Sequence, residues 1–229
     1  MEIYTEELLH ILLSVLAIAL ALAIFQAPSL DALTSAYFIP AFIVLMIAVG
    51  SGFVFHELMH RYVARKFGAW AGYQAWPSGL VLMLVLAGAN ILFHLGFIFL
   101  APGAVMIYAP RGITKQQNGL ISVAGPVTNI VLGMVFFAVF LVAFSLTGGA
   151  SNLMGMFSKS LNVFSNFSTL SLLEKIAYTG LIGFSVNMNL ALFNMIPIPP
   201  LDGSKVIAWD WRVWLAVAAI PLIITLFVG

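Results

Sequence analysis

Two histidines and a glutamate lie together in Phe55-His56-Glu57-Leu58-Met59-His60, an H-E-x-x-H pattern near the C-terminal end of an apolar run. On a helix, residues four apart face the same way, about 6 Å from one another. Two neutral imidazoles at that spacing can hold one Zn²⁺ at about 2.0–2.1 Å. Glu57, beside them, can take a proton from water activated by such an ion. A helix can also carry these three residues with no chemistry attached. Here they end a run suited to lipid, where ionisable side chains are costly and are usually kept for function.

A hydrolytic zinc site takes three protein ligands and leaves one position open. The chain has no cysteine, four histidines and eight acidic residues, so the third ligand comes from a short set. Asp202 is the first candidate. It follows a later apolar run, in Asn194-Met-Ile-Pro197-Ile-Pro199-Pro200-Leu201-Asp202-Gly203, where the prolines must end or distort a helix. Asp-Gly is also a common turn pair, so Asp202 alone would read as a turn residue. His94, in an apolar segment, is the rival ligand, although a lone histidine there is more often packed or hydrogen-bonded. His10 reads as interfacial and Asp210 as solvated.

The elements that must position these groups follow from composition. Of 229 residues, 62% are hydrophobic and 7% charged, against about 25% charged in ordinary soluble domains. The expected fold class is an all-α polytopic membrane protein. A net charge of +1 offers no footing for nucleic acid. Apolar runs predict about five transmembrane helices, near 8–25, 39–66, 120–146, 176–196 and 213–228. The second carries the histidine motif and closes with Arg61, Arg65 and Lys66 in the headgroup region, then Gly68. Gly125 and Gly133 allow close helix packing in the third. The stretch 147–169 reads as a surface loop with a short amphipathic helix. Trp209, Trp211 and Trp214 read as an aromatic belt before the last span.

The stretch 79–101 has no formal charge and is long enough to span. Its local signals fit strands equally well. Ala87-Gly88-Ala89-Asn90 and Pro102-Gly103 are turn-like, which predicts a membrane-reentrant β-hairpin or small sheet after the second span, sheltered by protein. Charge separates the two readings. If the stretch returns to the side it left, Arg61, Arg65, Lys66, Arg111, Lys115, Lys205 and Arg212 share one side, and Lys159 and Lys175 the other. If it spans, the split is five to four. The positive-inside bias favours the return, with the basic side cytoplasmic. Only the return brings Asp202 to the membrane depth of His56 and His60; otherwise it lies about 30 Å away.

His56-Glu57-x-x-His60 on a span, Gly125-Pro126 opening the next, and Asn194-x-x-Pro197-x-x-Pro200-x-Asp202-Gly203 after a later one resemble the site-2 protease family of intramembrane zinc metalloproteases. The resemblance covers about 39–204 of a single membrane-embedded metalloprotease domain, 1–229, with peripheral spans near 8–25 and 213–228. It implies one zinc ion per chain on His56, His60 and Asp202, Glu57 as catalytic acid/base, and Asn194 near the substrate or the oxyanion. It also implies a β-element after the histidine helix. The expected activity is hydrolysis of peptide bonds within or near transmembrane segments of membrane proteins. The expected partners are a transmembrane substrate and the lipid bilayer. The expected setting is the cell membrane, multi-pass, with the site nearer the cytoplasmic side. The alternative is a metal-ion or proton-coupled transporter, for which Glu57, the only acid well inside a span, gives a thin path. A third reading, a scaffold with structural zinc, would ordinarily need four protein ligands.

Overall fold

The computed structural model describes residues 5–98, 100, 102–147 and 170–228. Helix α1 (Thr5–Gln26) leads through a 3-10 turn (Leu30–Thr34) to α2 (Phe38–Leu45). A π-helical segment (Met46–Gly50) joins α2 without a break to α3 (Ser51–Lys66). Then follow β1 (Trp70–Ala75), α4 (Pro77–Phe93), β2 (Gly103–Tyr108), α5 (Lys115–Leu146), α6 (Leu172–Asn194), α7 (Asp202–Trp209) and α8 (Trp211–Val228). Four stretches are long and apolar enough to cross a membrane: α1, α2 through α3 (Phe38–Lys66), α5 and α6. Helices α4 and α8 are shorter apolar helices. The expected amphipathic helix of 147–169 lies almost wholly outside the described residues.

Local chemistry sets the boundaries. Thr114 caps α5 and exchanges hydrogen bonds with Gln117; Ser171 does the same with Glu174 at the start of α6. Pro77 occupies the first turn of α4, where its missing N–H costs nothing. Gly68, at φ 78°, ends α3 in the left-handed region.

The small sheet expected after the second span is present, but its strands lie on either side of the expected stretch, at Trp70–Ala75 and Gly103–Tyr108, and among the described residues of 79–101 helix α4 takes the first two thirds. The turn-like cluster failed as a signal because its residues have helical work to do. Ala87 is buried in the core that also holds Ile11, Ile18 and Ala21 of α1. Asn90 donates from Nδ2 to Phe25 O at 3.1 Å and accepts Gly96 N–H at Oδ1, 2.9 Å. The excursion nevertheless returns. Strands β1 and β2 are antiparallel, from Trp70 opposite Tyr108 to Ala75 opposite Gly103. Trp76 N–H donates to Pro102 O at 2.8 Å.

The outer side of β1 is covered by hydrogen bonds. On the outer side of β1, Tyr73 N–H donates to Glu7 Oε1 at 3.0 Å, and Ala71 O accepts from Arg61 and Arg65. In an antiparallel pair, groups that point outward on one strand oppose groups that point outward on the other. Val105 and Ile107, opposite Tyr73 and Ala71, therefore direct their backbone away from β1. Helix α1 is further held by a 2.8 Å hydrogen bond between the Ser14 and Tyr73 hydroxyls.

Arg61 turns into the protein rather than outward. It is wholly buried, and its Nε lies 2.9 Å from Glu7 Oε1. Arg65 Nε and Nη2 donate to Ala71 O at 3.2 and 3.0 Å, and Lys66 lies over the Tyr62 ring. The belt expectation is likewise redirected. Trp209 packs over Gly119 and the Trp214 indole N–H donates to Met195 O at 2.7 Å, which leaves Trp211 the exposed one. Gly133 does serve close packing, since a Cβ there would meet Met188 of α6 at 2.5 Å.

The Glu7–Arg61 pair ties α1 to the turn of α3 that carries His60. Removing one partner of a buried pair strands the other charge, at a cost of about 3–5 kcal/mol. Glu7→Ala is expected to lower the unfolding midpoint in detergent by an amount of that order, read by thermal or denaturant unfolding. A shift within error of the parent would show that the pair contributes little.

Candidate metal centre

The site is assembled from three elements. Helix α3 places His56 and His60 one turn apart, with ring centroids 4.5 Å apart at 85° and Nε2 atoms 2.9 Å apart. Asp202 opens α7, and its Oδ2 lies 3.2 Å from His56 Nε2 and 3.0 Å from His60 Nε2. All three residues are buried. The third element, α5, crosses behind the imidazoles.

Asp202 arrives through the break after α6. The run Ile196–Leu201 cannot continue a helix through three prolines. The chain turns and restarts at Asp202, pressed against the end of α6. A Cβ on Gly203 would lie 2.3 Å from Met195 O, so a residue without a side chain is required at this approach. The Trp214 hydrogen bond to Met195 O holds the same turn from the other side.

Both imidazoles are oriented by groups on α5. His60 Nδ1–H donates to Ile121 O at 2.7 Å, and His56 Nδ1–H donates to the side-chain oxygen of Asn129. With the proton on Nδ1, a neutral imidazole turns the lone pair of Nε2 toward the centre. Three electron-rich atoms thus converge within 3.2 Å. Without a positive centre, two lone pairs and a carboxylate at this distance repel.

A zinc ion fits this arrangement. Ligand atoms about 2.0–2.1 Å from one tetrahedral ion lie roughly 3.4 Å from each other, within about half an ångström of the observed separations. Space for the ion depends on Gly125. A Cβ there would lie 2.5 Å from both Nε2 atoms, in the space the ligand atoms face. The residue expected to serve helix packing instead keeps the centre open. His56, His60 and Asp202 form the group of metal-ligating side chains found among the described residues.

Glu57 lies on the wall of a cavity of about 580 Å³ that also reaches His56, His60 and Asp202. The Val105 backbone N–H of β2 donates to its carboxylate. Asn194 lines the same cavity, with Nδ2 donating to Leu190 O at 2.9 Å. Lys205 Nζ stands 3.6 Å from the outer oxygen of Asp202. His94, the rival ligand, is exposed and ends α4 in the left-handed region at φ 49°, away from the cavity. Asp210 accepts Arg212 N–H at 2.8 Å and His10 is half-buried on α1; neither joins the group. Sequence reasoning missed Asn129 and the Ile121 carbonyl as partners of the imidazoles. An amide inside an apolar helix was the available signal for Asn129; nothing in a sequence marks a backbone carbonyl.

The profile of peptidase family M50 matches residues 42–212. A Methanocaldococcus jannaschii protein provisionally named zinc metalloprotease MJ0611 is 42% identical over 218 residues, covering 95% of this chain and 91% of that protein. A Bacillus subtilis protein provisionally named zinc metalloprotease YwhC is 31% identical over 177 residues, 71% of this chain and 67% of that one. No solved structure matches at a significant level. With a buried donor set that fits a single zinc ion, the chain belongs to peptidase family M50, the site-2 protease family of membrane zinc metallopeptidases.

Proposed function

We propose that this zinc metalloprotease cleaves peptide bonds within or beside transmembrane segments of membrane proteins, from a multi-pass position in the cell membrane. The observation that carries the reading is the cavity. It joins Glu57 and the His56/His60/Asp202 group to walls from α1, α5 and α6, three of the helices apolar enough to span. A peptide bond reaching Glu57 would pass between elements suited to lipid. The basic residues Arg65, Lys66, Arg111, Lys115, Lys205 and Arg212, read as sharing one side of the membrane, favour a cytoplasmic-facing centre.

In this reading His56, His60 and Asp202 hold the zinc, which supplies Lewis acidity toward a carbonyl and toward water. Glu57 takes the proton of the attacking water at its carboxylate and returns it to the leaving nitrogen. Asn194, on the cavity wall, lies near the substrate or the oxyanion and can offer its second N–H there. A helical substrate hides its carbonyls in its own hydrogen bonds and must open first. The outward backbone of β2 at Ile107 faces the cavity and can receive the opened segment as an added strand.

Glu57→Gln is expected to reduce cleavage of a single-span substrate by about 10²–10⁴-fold, with zinc still near one per chain by elemental analysis. Metal flux into liposomes that survives this change, with no cleavage by the parent, would favour the transporter reading. Gly125→Ala is expected to keep the fold but lose zinc, because the added methyl takes the space facing both Nε2 atoms. Full zinc content in that variant would place the ion elsewhere. Ile107→Pro removes an N–H that points away from β1, so the sheet pair stays intact. Cleavage should fall roughly tenfold, the equivalent of one lost backbone hydrogen bond, with zinc retained; unchanged cleavage would exclude strand addition at this edge.

A further inference from the structure

We propose that Asn187, on α6, is a positioning residue for the metal centre: acting through Asn129, it fixes which nitrogen of His56 is free to bind the ion. Asn187 touches neither metal ligand nor cavity. The inference rests on the reading of His56 as a ligand and adds a residue to it.

The argument is one of hydrogen-bond polarity. An amide side chain accepts at one end and donates at the other. His56 Nδ1 faces the oxygen of Asn129. Were that amide reversed, its NH₂ would donate to Nδ1, the ring proton would move to Nε2, and His56 would turn an N–H toward the metal position. Two acceptors prevent the reversal. Asn129 Nδ2 donates to Gly52 O at 3.1 Å and to Asn187 Oδ1 at 3.0 Å.

Asn187 is fixed in the same way. Its Nδ2 lies 2.8 Å from Gly183 O and 3.4 Å from Ala48 O, and backbone carbonyls can only accept. Its NH₂ must face them, so its oxygen must face Asn129. The chain therefore has one consistent direction, from carbonyls of α6 and the π-helical segment, through two amides, to the imidazole. Both amides are wholly buried, so no water competes for their ends. Without Asn187, Gly52 O alone would hold the orientation of Asn129. Polar partners of this kind are typically worth 10–100-fold in metal affinity.

The test is zinc affinity of the purified protein in detergent, by competition with a chromophoric chelator, a readout independent of cleavage. Asn187→Leu keeps the branched outline and removes both polar ends; it is expected to bind zinc about 10–100-fold more weakly. Asn187→Asp, as the neutral acid, keeps an O–H toward Gly183 O and an acceptor toward Asn129, and is expected to stay within about threefold of the parent, since the acceptor is what sets affinity. In an Asn129→Ala background, adding Asn187→Leu should change affinity no further, because the effect passes through Asn129. If Asn187→Leu fails to fold, Asn187→Ala carries the same expectation. Parent-like affinity in the Leu variant, equal losses in the Leu and Asp variants, or additive losses in the double variant would each overturn the proposal. His56→Ala separates the two readings: retained zinc there defeats His56 as a ligand, whereas lost zinc beside a parent-like Asn187→Leu defeats only this inference.

Discussion

Mutual repulsion among three electron-rich atoms is the constraint that the rest of the structure answers. Two imidazole nitrogens and a carboxylate oxygen stand 2.9–3.2 Å apart in a buried setting, an arrangement that a shared cation makes favourable. Each nearby feature forces that proximity or leaves room for the ion. The turn of α3 sets the imidazoles, the proline-rich break after α6 delivers Asp202, and the bare Cα of Gly125 keeps the centre open. A zinc ion turns a repulsive cluster into a Lewis-acid centre, so the folding of this region and its chemistry are one problem.

Placing such a centre among apolar helices creates a second demand, because polar groups there find no water. The protein meets it with closed pairings. Glu7 and Arg61 join across α1 and α3, and the same carboxylate accepts the N–H of Tyr73. The outer edge of β1 is thereby covered and α1 is fastened to both the sheet and the histidine helix. The edge of β2 is treated differently. Its residues Val105 and Ile107 line the cavity, with the Val105 N–H turned to Glu57.

Much of this was legible in the sequence because it rests on spacing and composition. The i, i+4 histidines, the prolines before Asp202 and the apolar runs of the long helices all act locally or through simple sums. The reading failed where a residue's use depends on a distant partner. Ala87-Gly88-Ala89-Asn90 looked like a turn because its contacts with α1 are invisible along the chain. Arg61 looked like a residue without a protein partner because Glu7 is 54 positions earlier. Gly125 looked like a packing residue because nothing marks it as facing the imidazoles. Asn129 and Asn187 were visible as amides in apolar helices, but their direction of donation is fixed only by backbone carbonyls that tertiary structure supplies.

The central claim is that Asp202 completes a three-residue zinc centre with His56 and His60. X-ray absorption at the zinc edge of the loaded protein tests it most directly. Two imidazole nitrogens and a carboxylate oxygen at about 2.0–2.2 Å are expected, with one position left to a non-protein ligand. The carboxylate contribution should vanish in Asp202→Ala. A parent spectrum with a closed set of four protein ligands, or one unaltered by that substitution, would contradict the account.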